Sequence, residues 1–500
     1  MAPDNRHRIV IVGGGSAGWM TAAALAKALP ANRHAITVIA SSQVPTVAVG
    51  EATIPGIHEF NQFLGINETA FLKQTMGTFK LGIEFSDWSE KGARYMHPFG
   101  PFGVNLGGVP FHQFYLRYLQ EGTGNIDLAS LNLEWLTAKK HRFTHPVSDK
   151  RSPLGHLKYA YHFDALAYAD YLQTYATQRQ VKYIDDKVTR VTQNHDGSIA
   201  AVELTNNGAI EGDFFIDCSG FNGLLIDKTL GAGYEDWREV LPCDSALTFA
   251  TPAVNNTPPF TRAIAHQCGW RWQIPLQHRT GNGWVYASRF CSQDNAIQAF
   301  ASTLGVSPDS DFHSLKWVNG MRKTPWQKNC VAIGLSAGFI EPLESTGLQL
   351  IQSAIFRLLS LFPGSEGNHT RASHYNRFAE EEMQTIRDFV VAHYALTTRD
   401  DSPFWQYCSA MPVPTSLQTR LALYRESGNL YRGSNELFNE ISWFAVLHGQ
   451  GLKPDTIHPL AWSLPVEELE KHMQGIAHIL NKVTDPLPAH QHYLSQYLKP

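Results

Sequence analysis

Three short stretches of this chain carry residue types whose spacing could do chemistry. Gly13, Gly15 and Gly18, within Gly13-Gly14-Gly15-Ser16-Ala17-Gly18, fit the spacing G-x-G-x-x-G. Glycines there permit a tight turn and a close backbone approach, and the N–H groups of a following helix then face a pyrophosphate. The chemistry is the binding of a dinucleotide, and the loop itself does not separate FAD from NAD. Far downstream stands Trp270-Arg271-Trp272-Gln273-Ile274-Pro275. On an extended strand Trp270, Trp272 and Ile274 share one face, and Pro275, which lacks an N–H, ends the ladder. Such a wall either screens a bound cofactor or is an ordinary sheet face buried in a core. The third stretch is Glu344-Ser345-Thr346-Gly347, just where a helical periodicity begins. The partial positive charge of a helix start favours an ionised Glu344. The unpaired N–H groups of Thr346 and Gly347 would suit a small anion. The plainer alternatives are a helix-capping acid and an ordinary N-cap.

The elements that must hold these residues can be read from periodicity. Residues 8–13 form a short apolar strand, the glycine loop follows, and an alanine-rich helix over residues 20–28 leads to a second strand over 35–39. An acidic residue normally ends that second strand and holds the ribose hydroxyls. Here the stretch is Ile39-Ala40-Ser41-Ser42, and Ser41 offers only a weaker hydrogen bond. Further strands are predicted at Ile199–Leu204 and Phe214–Asp217, and strand-like runs separated by Gly, Asn and Pro turns predict an antiparallel sheet over about 246–290. Beyond residue 345 the period is helical, with Leu348, Ile351, Ile355, Leu358 and Leu359 on one face, and Ile386, Phe389, Val390 and His393 on another.

The fold class that results is α/β. A Rossmann-type domain carries a mixed and antiparallel sheet, and a mainly helical C-terminal module follows. The expected domains are 1–360, with a substrate-side insertion at about 90–155 and the antiparallel sheet at about 246–325, and 361–500.

Composition narrows the function. The chain has 500 residues, 43% hydrophobic and 17% charged, with a formal net charge of −4. A soluble globular enzyme fits, and nucleic acid or an anionic membrane as main partner does not. No apolar run is long enough to span a bilayer, and the polar N-terminus does not read as a signal peptide. The six cysteines include no CxxC pair and the 22 histidines no HExxH motif, so the expectation is a reducing cytoplasm and no metal.

Several further motifs occur in order: Gly50-Glu51-Ala52-Thr53-Ile54-Pro55, Phe79-Lys80-Leu81-Gly82-Ile83, Asp217-Cys218-Ser219-Gly220, Glu341-Pro342-Leu343-Glu344-Ser345-Thr346-Gly347 and Asp401-Ser402-Pro403-Phe404-Trp405. With the glycine loop and the W-x-W-x-I-P string, they resemble the flavin-dependent halogenases of the tryptophan halogenase family, from residue 8 to at least 460. The resemblance implies that reduced FAD, oxygen and a halide (chloride or bromide) yield hypohalous acid. That oxidant moves through a tunnel to an aromatic substrate in a separate chamber, and the tryptophans keep the substrate from the flavin.

Residue roles follow from the same resemblance. Lys80 matches the catalytic lysine and Glu344 the second catalytic residue, while Glu341 reads as structural. Without the family pattern Lys80 would be a solvated surface lysine, on the face opposite Leu81, Ile83 and Phe85. FAD would be held by Gly13, Gly15, Ser16, Ala17, Gly18, Ala40, Ser41, Val49, Gly50, Glu51 and Val188, with Leu335 and Leu348 against its ring. Thr346 and Gly347 would take the halide. His97 and Phe99 match residues that sandwich an indole, a use to which flat apolar faces are suited. Trp443 and Phe444 fall where tryptophan-specific members grip the amino acid with a tyrosine pair. Ile441-Ser442-Trp443-Phe444 has no such pair, which favours an indole without the amino-acid group, or a larger or carrier-bound aromatic. A separate flavin reductase is the expected partner, and a homodimer is admissible. The competing functions are a flavin-dependent aromatic hydroxylase, which needs open access to the flavin, and a non-catalytic flavin-binding protein.

Overall fold

A computed structural model describes residues 5–43, 51–121, 125–363 and 368–499. The chain forms two compact units, each built from three separated stretches.

The first unit comprises Met1–Gly77, Phe163–Arg238 and Trp317–Gln384. Its six-stranded sheet runs in the order Trp326–Gln327, Cys330–Ala332, Phe214–Asp217, His7–Val12, His34–Ala40, Lys182–Asp185. All neighbours are parallel except the first pair. The predicted β-α-β start is present, with the helix at Ser16–Ala28 beginning four residues earlier than its apolar run. Gly15 is its N-cap and supplies no side chain, so the sequence carries no polar capping residue to mark the start. Ala22, Ala23, Ala24 and Leu25 are fully buried on that helix. Small side chains let its axis come close to its neighbours, and burial on all sides explains why helical periodicity is faint there. The parallel strands hold near-continuous apolar runs, as strands covered on both faces must. The core on one side gathers Val10, Val12, Ile39, Phe215 and Ala332. The strands Ile199–Leu204 and Phe214–Asp217 stand where their sequence placed them.

The second unit comprises Thr78–His162, Glu239–Lys316 and Thr385–Pro500. Its seven-stranded sheet runs His313–Lys316, Ser245–Pro252, Arg279–Tyr286, Gly269–Pro275, Thr261–His266, Gly82–Ser86, Arg94–Pro98. The antiparallel expectation holds throughout, except that Thr261–His266 and Gly82–Ser86 are parallel. The tryptophan strand lies inside this sheet, with a partner on each side. Helices dominate after residue 402: Pro403–Ala410, Thr415–Ser427, Glu440–Gly449, Val466–Thr484 and His490–Tyr497. Among the described residues no helix is long and apolar enough to cross a membrane, and no group of three or more His, Cys, Asp and Glu could hold a metal ion. All six cysteines are free thiols.

Candidate active site

In the first unit, the glycine loop crosses from the strand His7–Val12 into the helix Ser16–Ala28. Gly13 has φ +120°, and a Cβ there would lie 2.1 Å from the Cys218 carbonyl oxygen. A Cβ on Gly18 would lie 1.9 Å from the Gly13 carbonyl oxygen. Only glycine fits either place. Gly15 caps the helix without a side-chain hydrogen bond, which leaves the N–H groups at Ser16, Ala17 and Gly18 for a ligand. This cradle suits a pyrophosphate. Ala40 ends its strand in register with Asp185 of the neighbouring strand, and Asp185 Oδ1 accepts the Ser42 N–H at 2.8 Å. A carboxylate therefore borders the place where the sequence has none. Hydrogen bonds from the Ser42 N–H and from its side chain hold the Asp185 carboxyl below its usual range. Val188 begins the strand Val188–Gln193 and is half-buried. Burial pushes the Glu51 carboxyl up to about 7. Val49 and Gly50 lie outside the described residues.

Asp217 carries a role that its motif did not reveal. It is fully buried, and its carboxylate accepts N–H groups from Ser219, Leu225 and Ile226 at 2.7–2.9 Å. Its carbonyl also accepts the Ser336 hydroxyl and the Ile333 N–H. It thereby ties the loop after Phe214–Asp217 to the turn Gly334–Ser336, whose middle residue is half-buried Leu335. Glu344 ends the short helix Pro342–Glu344 and is fully buried. Ser345 then takes the left-handed conformation, φ 60°, and Thr346 caps the helix Gly347–Ser360. The Thr346 side chain makes no capping bond, and its buried Oγ1 has no hydrogen-bond partner among the described residues. The first turn of that helix, which includes Gly347 and buried Leu348, thus lacks a side-chain cap. Glu341 is buried, and its N–H donates to Asn319 Oδ1 at 2.9 Å.

In the second unit, Lys80 closes the strand Thr78–Lys80 and is fully buried. The expectation of a solvated lysine from local sequence alone fails at this position. The Lys80 ammonium lies 5.4 Å from the centroid of the Phe99 ring, within cation–π range. The strand pairs antiparallel with Ala160–Phe163, Thr78 opposite His162. Trp270 and Trp272 are both buried, their rings 5.8 Å apart and inclined at 54°, with Ile274 beyond them and Pro275 ending the strand.

His97 and Trp443 meet in one aromatic cluster through two residues that sequence did not single out as site residues. The Phe389 and Phe438 rings stack at 3.8 Å. His97 lies 5.5 Å from Phe389 and 5.8 Å from Phe438, and Trp443 stands edge-on to Phe389 at 4.8 Å. Phe389 shows in the sequence only as a helical core residue, and Phe438 stands in a turn-rich stretch without periodicity. Phe444, one position on, points elsewhere, against Phe102, His112 and His448. Adjacent residues on a helix lie about 100° apart, so the pair cannot share one pocket face.

The first unit thus carries a glycine cradle on a parallel sheet, and the second a buried lysine beside the Phe99 ring. The chain belongs to the tryptophan halogenase family, whose model matches residues 8–465. It is 33% identical to tryptophan 6-halogenase SttH from Streptomyces toxytricini, over 99% of each chain. Among solved structures it is similar to a flavin-dependent halogenase from Xanthomonas campestris, with TM-score 0.94, 42% identity and 98% of each chain covered. BrvH, a flavin-dependent halogenase from Brevundimonas sp. BAL3, gives TM-score 0.94 at 37% identity over 99% of this chain and 100% of that one. The enzyme class is therefore that of a flavin-dependent halogenase, an oxidoreductase.

Proposed function

We propose that this enzyme halogenates an electron-rich aromatic compound of the indole class, with Lys80 directing the halogen and Glu344 assisting. The observation that carries the reading is the complete burial of Lys80 beside the Phe99 ring. Lysine is rarely buried in full, because desolvating an ammonium is costly. Such a cost is commonly met at sites that use the charge.

The residues present fit FAD: Gly13, Gly15 and Gly18 with the N–H groups of Ser16 and Ala17 would hold its pyrophosphate, and Ala40, Ser41, Val49, Gly50, Glu51 and Val188 would line the rest. Leu335 and Leu348 would pack on the ring. Bound FAD, when reduced, would supply the oxygen chemistry that converts chloride or bromide to hypohalous acid. The uncapped first turn at Thr346 and Gly347 suits the halide. Lys80 would donate a hydrogen bond to hypohalous acid, or, as the neutral amine, take its halogen with release of water, and present the halogen to a ring carbon. Glu344 stabilises the cationic ring or takes its proton. Trp270, Trp272, Ile274 and Pro275 keep the substrate from the flavin.

The substrate would lie against His97 and Phe99, with Trp443 in the same cluster. Phe444 would bear on it only from behind, through packing. The missing tyrosine pair argues for an indole without a free amino-acid group. Reduced flavin would come from a separate reductase. The test supplies reduced FAD, oxygen, bromide or chloride and a panel of indoles, and reads products by mass spectrometry. Halogen isotope patterns are expected. Hydroxylated products without halogen would overturn the reading.

A further inference from the structure

A chain of four buried groups runs across the strand that bears Lys80. Thr78 Oγ1 donates to the carbonyl of Pro275 at 2.7 Å, and lies 3.1 Å from His162 Nδ1. His162 Nε2 lies 2.9 Å from Thr261 Oγ1. A carbonyl only accepts, so the Thr78 proton is committed to Pro275, and its oxygen must receive a proton from Nδ1. Nδ1 of His162 therefore carries a proton, and in the neutral ring Nε2 accepts the Thr261 hydroxyl. All four residues are buried, His162 completely. Burial, then the Lys80 charge, hold the His162 pKa well below its ordinary value, in keeping with that neutral form.

The geometry matters because of what the chain joins. Thr78 is two residues from Lys80 and on the same face of the strand. Pro275 ends the strand of Trp270 and Trp272, and Thr261 opens the strand between that one and Gly82–Ser86. The imidazole thus joins Thr78 of the lysine strand to Thr261, and by donating to Thr78 Oγ1 it leaves that hydroxyl to reach the Pro275 carbonyl of the tryptophan strand. The other edge of the lysine strand is held by different groups. The Phe79 N–H donates to His490 Nε2 at 3.2 Å and the Leu81 N–H to the Pro259 carbonyl at 2.7 Å.

We propose that His162 is a positioning residue: in its Nδ1–H form it fixes the place of Lys80 relative to the tryptophan strand, and so sets how much hypohalous acid ends on substrate. This rests on the role given to Lys80 above. His162→Phe keeps ring volume and removes both hydrogen bonds. His162→Asn keeps a donor toward Thr78 alone. The measurement is halogenated product per reduced flavin oxidised, with FAD content and flavin oxidation rate followed beside it. For His162→Phe the ratio is expected to fall about tenfold or more while flavin oxidation per bound FAD is kept, and His162→Asn is expected to recover part of the loss. A ratio unchanged in both variants, or lost only in step with flavin oxidation, overturns the proposal. Lys80→Ala run in parallel separates the two readings. If it leaves product intact, the role of Lys80 fails first. The tautomer is tested without turnover, by ring 15N shifts of His162 in labelled protein at pH 7. A protonated Nδ1 and a bare Nε2 are expected, and the opposite tautomer or a charged ring overturns the assignment.

Discussion

Trp272 and Gly283 stand opposite each other in the ladder between Gly269–Pro275 and Arg279–Tyr286. The indole fills the space that a side chain at 283 would need, for a Cβ there would lie 2.0 Å from the Trp272 ring. The tryptophan is thus seated by the absence of a neighbour as much as by its own burial. Gly283→Ala is expected to displace the indole and to cost about 1–3 kcal/mol of stability, the usual range for overpacking. Thermal unfolding with tryptophan emission checks this; an unmoved midpoint and spectrum would show that the ring yields freely.

Six histidines are pushed toward the neutral form when folded, among them half-buried His7. Burial brings His112, His448 and His490 to about 4 and His266 to about 3, and His162 lies well below its ordinary 6.5. Each takes up a proton on unfolding below pH 6.5, so stability falls as pH drops toward the folded values. Glu51 and Glu134, raised by burial to about 7, act in the opposite sense between 4.5 and 7. The histidines outnumber them, which leaves a net uptake of protons on unfolding near pH 5. Unfolding midpoints are expected to fall from pH 7 to pH 5. A midpoint that rises over that span contradicts the neutral assignments.

Much of this was legible in the sequence. Glycine spacing and apolar runs located the β-α-β start, because a parallel strand covered on both faces must be apolar throughout. Period-two alternation placed Trp270, Trp272 and Ile274 correctly on one buried wall. What stayed hidden depends on pairing between distant stretches. The partnership of Phe389 with Phe438, the register of Ala40 with Asp185, and the contact of Thr78 with Pro275 join residues far apart in the chain. No local period carries that information. Trp443 and Phe444 show the same limit: adjacent in sequence, they pack in different clusters.

The register between Ala40 and Asp185 has a consequence for the cofactor. Asp185 is the carboxylate nearest in the sheet to the strand end that lacks its own. Asp185→Asn is expected to weaken FAD binding about tenfold, close to 1.4 kcal/mol. Fluorescence titration of the apoprotein with FAD measures it, and an unchanged Kd would remove Asp185 from the ribose site.

Phe438 closes the aromatic cluster beside His97. Phe438→Ala is expected to cost about 3 kcal/mol through the cavity left, and to raise turnover of bulky indoles relative to indole itself. Paired-substrate competition reads the ratio. A ratio that does not move would place the substrate away from this cluster.

Buried Lys80 is proposed to deliver the halogen. The most direct test is Lys80→Ala with reduced FAD, oxygen and bromide, following flavin oxidation and brominated indole in one reaction. Brominated product is expected to fall about a hundredfold or more, the scale of a positioned catalytic group, with flavin oxidation nearly unchanged. Product formed at the wild-type rate, or equal loss of product and flavin oxidation, would contradict the claim.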